Sequence, residues 1–259
     1  MERIDAGYVV TVNPFNANQR KRVSLLPKKA DMEQADGVDV LVFWTRDPRN
    51  ILANAEELTQ RGFRFYVMVS VTGYPHELEP DMPCTSEALI AMKELARKIG
   101  QDRVIWRYDP VILTSVTDED FHRRNFYEIA ENLSGSVRRV IISVYDEYRS
   151  PKQRMEGLER AGVFRLLDTG AGSVNLLADL AKSAEDADME IQSCAEKEDY
   201  SSIGIKPGAC IDPALIGRLW GLEFKGKDKN QRPNCLCCQS VDIGSYGICG
   251  ARCVYCYAW

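Results

Sequence analysis

Residues 39–48 read DVLVFWTRDP. The first seven of them form an apolar, β-branched run of strand length that stops at a polar turn. Pro48 suits the first turn of a helix, and Gly62 suits the position just past a helix end. This stretch therefore predicts a strand followed directly by a helix, which is the repeating unit of a parallel α/β sheet.

The same strand–helix unit recurs along the chain on both sides of this stretch. Thr85 and Thr117 are predicted helix caps, and Leu176, Leu177 and Leu180 mark a later helix. The other predicted strands cover residues 8–12, 65–72, 104–108, 139–145, 190–194 and 241–246. The segments 147–173 and 225–234 have no clear period, and the first of them suits a lid or a helical excursion. We therefore predict an α/β fold, a mostly parallel sheet that is closed or partly closed into a TIM-like β/α barrel, in one domain over residues 1–259.

Composition narrows the class of protein. The 259 residues include 38 acidic and 33 basic side chains, for a net charge of -5. Such a balance argues against extended binding to nucleic acid or to an anionic membrane. No apolar run approaches the roughly 18 residues of a membrane span, and the first residues lack the apolar stretch of a signal peptide. We expect a cytoplasmic protein without nucleic-acid or membrane partners.

Cysteine usage departs from this ordinary picture. The chain has nine cysteines, and six of them fall in the last 25 residues. An odd number cannot pair completely within one chain, and a cytosolic setting keeps thiols reduced. The pattern favours metal or redox chemistry in the C-terminal part of the chain.

Three of these cysteines, Cys249, Cys253 and Cys256, have the spacing C-x3-C-x2-C, with Tyr255 just before the third. Three thiolates on one loop can bind three irons of a 4Fe–4S cluster and leave the fourth iron open. This motif resembles the signature of the radical S-adenosylmethionine superfamily. The resemblance implies reductive cleavage of S-adenosylmethionine at that cluster, followed by hydrogen abstraction from a small-molecule substrate. It also implies oxidoreductase or transferase chemistry and an electron donor of the flavodoxin or ferredoxin type.

A narrower resemblance covers nearly the whole chain. Matching segments are NPFN at 13–16, FWTRDP at 43–48, WRYDP at 106–110, KDKNQR at 227–232 and SVDIGSY at 240–246. They are similar to the domain-of-unknown-function 1848 family, which also places its cysteines late in the chain. Most radical S-adenosylmethionine proteins carry the motif after the first barrel strand, so the late position implies a permuted barrel. Family members usually carry about one more strand and helix upstream, which implies that the barrel here is partial.

The family resemblance also aligns four earlier cysteines, namely Cys194, Cys210, Cys235 and Cys237. Four thiolates suit a second, auxiliary 4Fe–4S cluster, so residues 190–259 are expected to supply the cluster-binding segment. Its role stays open between an electron relay, a substrate anchor and a sulfur donor for a sulfur-insertion reaction. Alternatively, Cys194 and Cys210 are small buried apolar residues. Cys238 is an extra cysteine in this alignment.

Polar residues at predicted strand ends complete the predicted site. Tyr255, Arg107, Asp109, Thr45 and Glu196 are predicted to contact S-adenosylmethionine. Asp109 suits ribose hydroxyls, Arg107 suits a carboxylate and Glu196 suits the methionyl amine. An Arg107–Asp109 ion pair that only shapes a loop is the alternative. We expect Cys249, Arg107, Asp109 and Thr45 to open toward one cavity.

A zinc site is the alternative from another functional class. Cys235 and Cys238 form a C-x2-C pair, as do Cys253 and Cys256. Together they could supply the four tetrahedral ligands of a structural zinc ion. The chain would then be a zinc-stabilised binding module without catalytic activity.

Overall fold

The computed structural model describes residues 7–10, 38–145, 149–167, 172–228, 231–243 and 249–256. Residues 7–10 are described by their backbone alone. The strands are β1 (Gly7–Val10), β2 (Val40–Thr45), β3 (Phe65–Ser70), β4 (Val104–Val111), β5 (Arg139–Val144), β6 (Glu190–Cys194), β7 (Lys206–Gly208) and β8 (Val241–Asp242). The helices are α1 (Arg49–Gln60), α2 (Thr85–Ile99), α3 (Glu119–Leu133), α4 (Arg149–Arg160), α5 (Gly172–Asp186) and α6 (Pro213–Trp220).

All eight strands belong to one sheet in the order β7-β6-β5-β4-β3-β2-β1-β8. The six strands from β2 to β7 are parallel, and this confirms the predicted α/β fold. β1 is antiparallel to both β2 and β8. Within the described ranges β7 and β8 stand at opposite ends of the sheet order, so closure into a barrel stays a prediction.

Most elements follow the sequence patterns, with several differences. β7 is not predicted, because its sequence, KPG, lacks the β-branched residues that mark a strand. The irregular segment at 147–173 contains helix α4, which agrees with a helical excursion. β4 runs on to Val111, past its predicted end at residue 108, and Cys84 rather than Thr85 occupies the N-cap position of α2. Asp118, rather than Thr117, caps α3 by accepting a hydrogen bond from the Phe121 N–H. Of the last predicted strand, residues 244–246 lie outside the described ranges.

The two faces of the sheet bury different partners. Along β2, Leu41 and Phe43 face the core formed with α1, α2, α3 and α5. Val40 and Val42 alternate with them and pack in a second cluster with α6 and five of the cysteines. The cysteine-bearing segment therefore covers the face of the sheet opposite the four large helices.

A third apolar cluster lies beside the loops that follow β3 and β4. Its buried members are Tyr74, Leu78, Ile112, Met155, Phe164, Cys253 and Tyr255. Two of them, Cys253 and Tyr255, belong to the C-x3-C-x2-C motif, and Met155 belongs to α4. This packing places the motif at the carboxyl-end side of the parallel strands, where α/β proteins commonly bind ligands.

In the described part of the chain, no helix combines the length and the apolar character needed to cross a membrane.

His122, on α3, provides a test of the packing. The Tyr108 hydroxyl lies 2.8 Å from Nδ1, and Nε2 lies 2.9 Å from the Ile112 carbonyl oxygen. Because a carbonyl can only accept, Nε2 donates and Nδ1 accepts from Tyr108, which fits the neutral ring. Burial lowers the pKa of His122 to about 4.

We expect this histidine to make folding pH-dependent. The unfolded chain binds its proton near pH 6.5 and the folded chain near pH 4, so stability is lost as the pH falls through that window. Between pH 7 and pH 4 the free energy of unfolding should fall by about 3 kcal/mol more in the parent than in His122→Gln. Urea unfolding at both pH values measures this, and an equal fall in both proteins would contradict the assignment.

Candidate functional site

The C-x3-C-x2-C loop is anchored by backbone hydrogen bonds. The Val254 N–H donates to the Leu78 carbonyl oxygen at 3.0 Å. From α4, Arg154 Nε donates to the Val254 carbonyl oxygen at 3.0 Å, and its Nη2 donates to the Cys256 carbonyl. Cys253 is buried, Cys256 is partly buried and Cys249 is exposed. The loop therefore contacts the segment that follows β3 and helix α4.

A buried polar network fixes Tyr255 within this loop. We call Arg46, Thr72, Glu79 and Tyr255 the Arg46 network. Arg46 Nη1 donates to Glu79 Oε1 at 2.7 Å, and its Nη2 donates to the Tyr255 hydroxyl at 2.6 Å. The Tyr255 and Thr72 hydroxyls both donate to Glu79. The motif is thus tied to residues that follow β2 and β3.

The network also puts a positive charge next to a motif thiol. Burial opposes the charged form of Arg46, but Tyr255 and Glu79 outweigh it and hold its pKa above the ordinary value. Burial raises the pKa of Cys253 to about 12, and Arg46 acts in the opposite direction. Cys253 is therefore a neutral thiol near pH 7, and a metal that bound it would have to displace its proton.

Sequence reasoning did not single out Glu79. Its partner Arg46 lies 33 positions away, so no local spacing reveals the pair. Gly73 is the local sequence signal for the turn that precedes Glu79. Its φ of 61° suits glycine, and an added Cβ would lie 2.5 Å from Asn125 Oδ1. The turn that starts there carries the chain to Glu79.

Four cysteines gather on the sheet face opposite the large helices. We call Cys194, Cys210, Cys235 and Cys237 the auxiliary cysteine set. The sulfur atoms of Cys194 and Cys210 are 3.2 Å apart, and the N–H of Ile211, the residue after Cys210, donates to Cys237 Sγ at 3.3 Å. Interaction with Cys210 lowers the pKa of Cys194, and interaction with Cys210 and Cys235 lowers the pKa of Cys237. The structure thus brings together the four cysteines that the sequence predicted.

Cys210 is positioned by a buried hydrogen-bonded chain. The Tyr66 hydroxyl donates to the Cys210 carbonyl oxygen at 2.5 Å and accepts from the Asp212 N–H at 3.1 Å. Asp212 in turn caps α6 through the Ala214 and Leu215 N–H groups, and Arg139 Nη1 donates to it at 2.6 Å. Tyr66 on β3 and Arg139 on β5 therefore hold the turn between β7 and α6 against the sheet.

The structure distinguishes Cys237 from its neighbour. The Ile211 N–H donates to Cys237 Sγ at 3.3 Å, whereas Cys238 donates its own N–H to the Ile211 carbonyl at 3.0 Å. Burial raises the pKa of Cys238 to about 12. Cys237 is thus the member that joins the other three thiols, and Cys238 is a buried packing residue.

The described side chains do not form a metal site. Among the described residues, no group of three or more His, Cys, Asp or Glu side chains could hold a metal ion. A single zinc needs four ligands at about 2.3 Å, whereas a 4Fe–4S cluster takes one thiolate at each iron. A cluster on the four thiols therefore stays a prediction. Cys235 and Cys238 pack in one apolar cluster and Cys253 and Cys256 in another, so the packing gives no support to a zinc site shared by the two pairs.

The other predicted site residues occupy different places. The Thr45 hydroxyl donates to the Asp47 carbonyl at 2.7 Å and accepts from the Asp47 N–H, so it shapes a local turn. Glu196 accepts from the Val144 N–H at 3.0 Å and joins the ends of β5 and β6. Arg107 and Asp109 form an ion pair on β4. The Arg107 charge acts on the thiols of Cys194 and Cys210, so this pair adjoins the auxiliary cysteine set.

A cavity of about 250 Å³ lies beside the Arg46 network. Its lining includes Thr72, Tyr74, His76 and Glu79. The four residues expected to share a cavity, Cys249, Arg107, Asp109 and Thr45, do not line it. Their common opening stays a prediction.

We expect Tyr255→Phe to loosen the motif. The substitution removes two hydrogen bonds to charged groups, and each such bond contributes about 1.5–3 kcal/mol. In cluster-free protein, Cys253 should therefore react with iodoacetamide about tenfold faster, as measured by mass spectrometry. Exposed Cys84 is the internal control, and Tyr127→Phe, at an exposed tyrosine on α3, is the matched variant. Unchanged labelling of Cys253 would show that the network does not hold the loop.

Comparison with known proteins identifies the family. No curated protein matches the sequence. The sequence profile of DUF1848, described as a domain of unknown function, matches residues 1–258. Because this match spans nearly the whole sequence, the chain belongs to the DUF1848 family.

Proposed function

We propose that the chain is a radical S-adenosylmethionine enzyme acting on a small molecule. The observation that carries the proposal is the C-x3-C-x2-C loop at the carboxyl-end side of a parallel sheet, with Cys253 and Tyr255 buried against it. Cys249, Cys253 and Cys256 would hold a 4Fe–4S cluster with one open iron. Cys253 already interacts electrostatically with both of the other thiols.

The cluster would bind S-adenosylmethionine at its open iron and supply the electron that cleaves it to methionine and a 5′-deoxyadenosyl radical. The chain supplies the surroundings of this chemistry. Tyr74, Leu78 and Ile112 exclude water on one side of Cys253, and the Arg46 network fixes the adjacent Tyr255. Tyr255, whose hydroxyl is bound by Arg46 and Glu79, stays a candidate contact to S-adenosylmethionine. Thr45, Arg107, Asp109 and Glu196 stay candidates as well.

The proposal includes a second 4Fe–4S cluster on the auxiliary cysteine set. Four ligands leave no open iron, which suits electron relay better than direct binding of substrate. The sheet face that carries this set would be the inner face of a partial or permuted barrel. Both sets of reduced thiols suit the cytoplasm.

An electron donor of the flavodoxin or ferredoxin type is part of the same proposal. Lys225, Lys227 and Arg232 are exposed near the auxiliary cysteine set. Leu236, between two cysteines of that set, is 44% exposed. An apolar residue with basic neighbours suits the docking of an acidic electron-transfer protein.

The central test is cleavage of S-adenosylmethionine by anaerobically reconstituted, dithionite-reduced protein. We expect the parent to form 5′-deoxyadenosine and Cys253→Ala to form none, because the open cluster needs all three thiolates. Cys84→Ala is the matched control, since Cys84 is exposed and belongs to neither set. Equal cleavage by Cys253→Ala and the parent would refute the proposal.

Iron content tests the second cluster. We expect about eight irons per chain in the parent and about four in Cys235→Ala/Cys237→Ala, because each cluster holds about four. Cys238→Ala should keep about eight, since Cys238 does not join the other thiols. Saturation of the parent near four irons would mean that the seven cysteines serve one cluster.

A further inference from the structure

The cavity beside the Arg46 network has a buried carboxylate in its wall. Glu79 lines this cavity, and only 4% of its side chain is exposed. Arg46 Nη1, the Thr72 hydroxyl and the Tyr255 hydroxyl all donate to the same oxygen, Oε1. Within the described ranges, the other oxygen, Oε2, accepts no hydrogen bond and is not fully enclosed, so it opens onto the cavity. A buried carboxylate oxygen in this position can accept a hydrogen bond that a ligand brings.

The charges around the cavity disfavour an anionic ligand. Arg46 is the nearest cation, but its guanidinium already donates to Glu79 and Tyr255, and it does not belong to the cavity lining. The segment 73–88, which supplies most of the lining, contains four acidic residues and no lysine or arginine. His76 lies in this segment and is exposed, so solvent screens any charge on it. The surroundings therefore favour a cationic ligand.

The chemistry of the lining fits an amine rather than a metal ion. In the part of the chain that the structure describes, no group of three or more His, Cys, Asp or Glu side chains could hold a metal ion. An ammonium group needs only hydrogen-bond acceptors. The hydroxyls of Ser70 and Thr85 also line the cavity and could accept beside Glu79. Tyr74, Met82 and Ala88 line it as well, and they suit the carbon chain of such an amine.

We propose that this cavity binds a small molecule through a protonated amine, which donates to Glu79 Oε2. The cavity volume of about 250 Å³ lies just below the ~300–1,000 Å³ that is usual for ligand pockets, so the ligand is small. Within the proposed function this ligand is the substrate, an assignment that rests on S-adenosylmethionine being held at the open iron. Binding of the amine itself needs neither cluster.

The test compares butylamine, 1-butanol and butyrate, which share one carbon chain length and differ in charge. Saturation-transfer difference NMR on the full chain near pH 7 measures their affinities. Butylamine is protonated there, since an alkyl amine like that of lysine has a pKa near 10.4. Butylamine should bind at least tenfold more tightly than 1-butanol, because a hydrogen bond between charged groups is stronger than one to a neutral hydroxyl. Butyrate should show no measurable binding.

Three variants locate the site. Glu79→Gln should remove the preference for butylamine over 1-butanol. Glu77→Gln is the matched control, because Glu77 is exposed and lies outside the cavity lining, and it should keep that preference. Thr85→Leu narrows the cavity without touching the Arg46 network, and it should weaken butylamine binding severalfold. Where Glu79→Gln fails to fold, the three probes in the parent and the Thr85→Leu variant still decide.

Equal affinities of butylamine and 1-butanol in the parent, or a preference for butylamine that survives Glu79→Gln, overturn this inference. Displacement of butylamine by S-adenosylmethionine from the reconstituted chain would overturn the assignment of the amine to the substrate. Formation of 5′-deoxyadenosine tests the proposed function separately, because amine binding is measured without it. The two failures are therefore distinguishable.

Discussion

The buried charge of Arg46 is the constraint on which the arrangement of the motif depends. A buried guanidinium is unfavourable unless its donors are matched by acceptors, and here the Glu79 carboxylate and the Tyr255 hydroxyl match them. Tyr255 lies 209 positions after Arg46, so the match is complete only when the C-terminal motif is seated beside the loops after β2 and β3. Removal of one partner leaves the others buried without their hydrogen bonds, which makes the seating cooperative.

Side chains alternate along each strand, so that those facing the helices form the core and those facing the other way surround the cysteines. On β4, Trp106 and Tyr108 pack in the helix-facing core, while Arg107 and Asp109 alternate with them and carry the ion pair. On β2, Phe43 serves the core and Trp44 packs with the cysteines. Parallel strands place such residues side by side at their carboxyl ends. One set of strands therefore supplies both a hydrophobic core and polar surroundings for the thiols.

Features that depend on residues close together in the chain can be predicted from the sequence. Apolar runs and turn residues predicted β1 to β6, β8, α1 to α3 and α5. The C-x3-C-x2-C spacing indicated one thiol set, and the family resemblance indicated the other. The sequence could not predict β7, since the register of KPG depends on the neighbouring β6 rather than on its own side chains. For 147–173 the sequence left a lid and a helical excursion open, because the surface of α4 is strongly polar and only residues such as Met155 reach the core.

The polar contacts of the site were beyond sequence reasoning for a different reason. Glu79 and Asp212 are acidic residues in turns, where most acidic side chains are solvated. Here each of them instead accepts a hydrogen bond from an arginine at the end of a strand. Arg46 donates to Glu79 from 33 positions away, and Arg139 donates to Asp212 from 73 positions away. Thr45 and Glu196 were placed correctly near strand ends, yet their side chains bind backbone groups in the structure.

The late position of the C-x3-C-x2-C loop has a consequence for biosynthesis. A nascent chain leaves the ribosome from its N-terminus, so Cys194, Cys210, Cys235 and Cys237 emerge before Cys249. The loops that carry Arg46 and Glu79 emerge earlier still. The loops against which the motif docks are therefore synthesised before it, and the auxiliary thiols leave the exit tunnel before the three motif cysteines do.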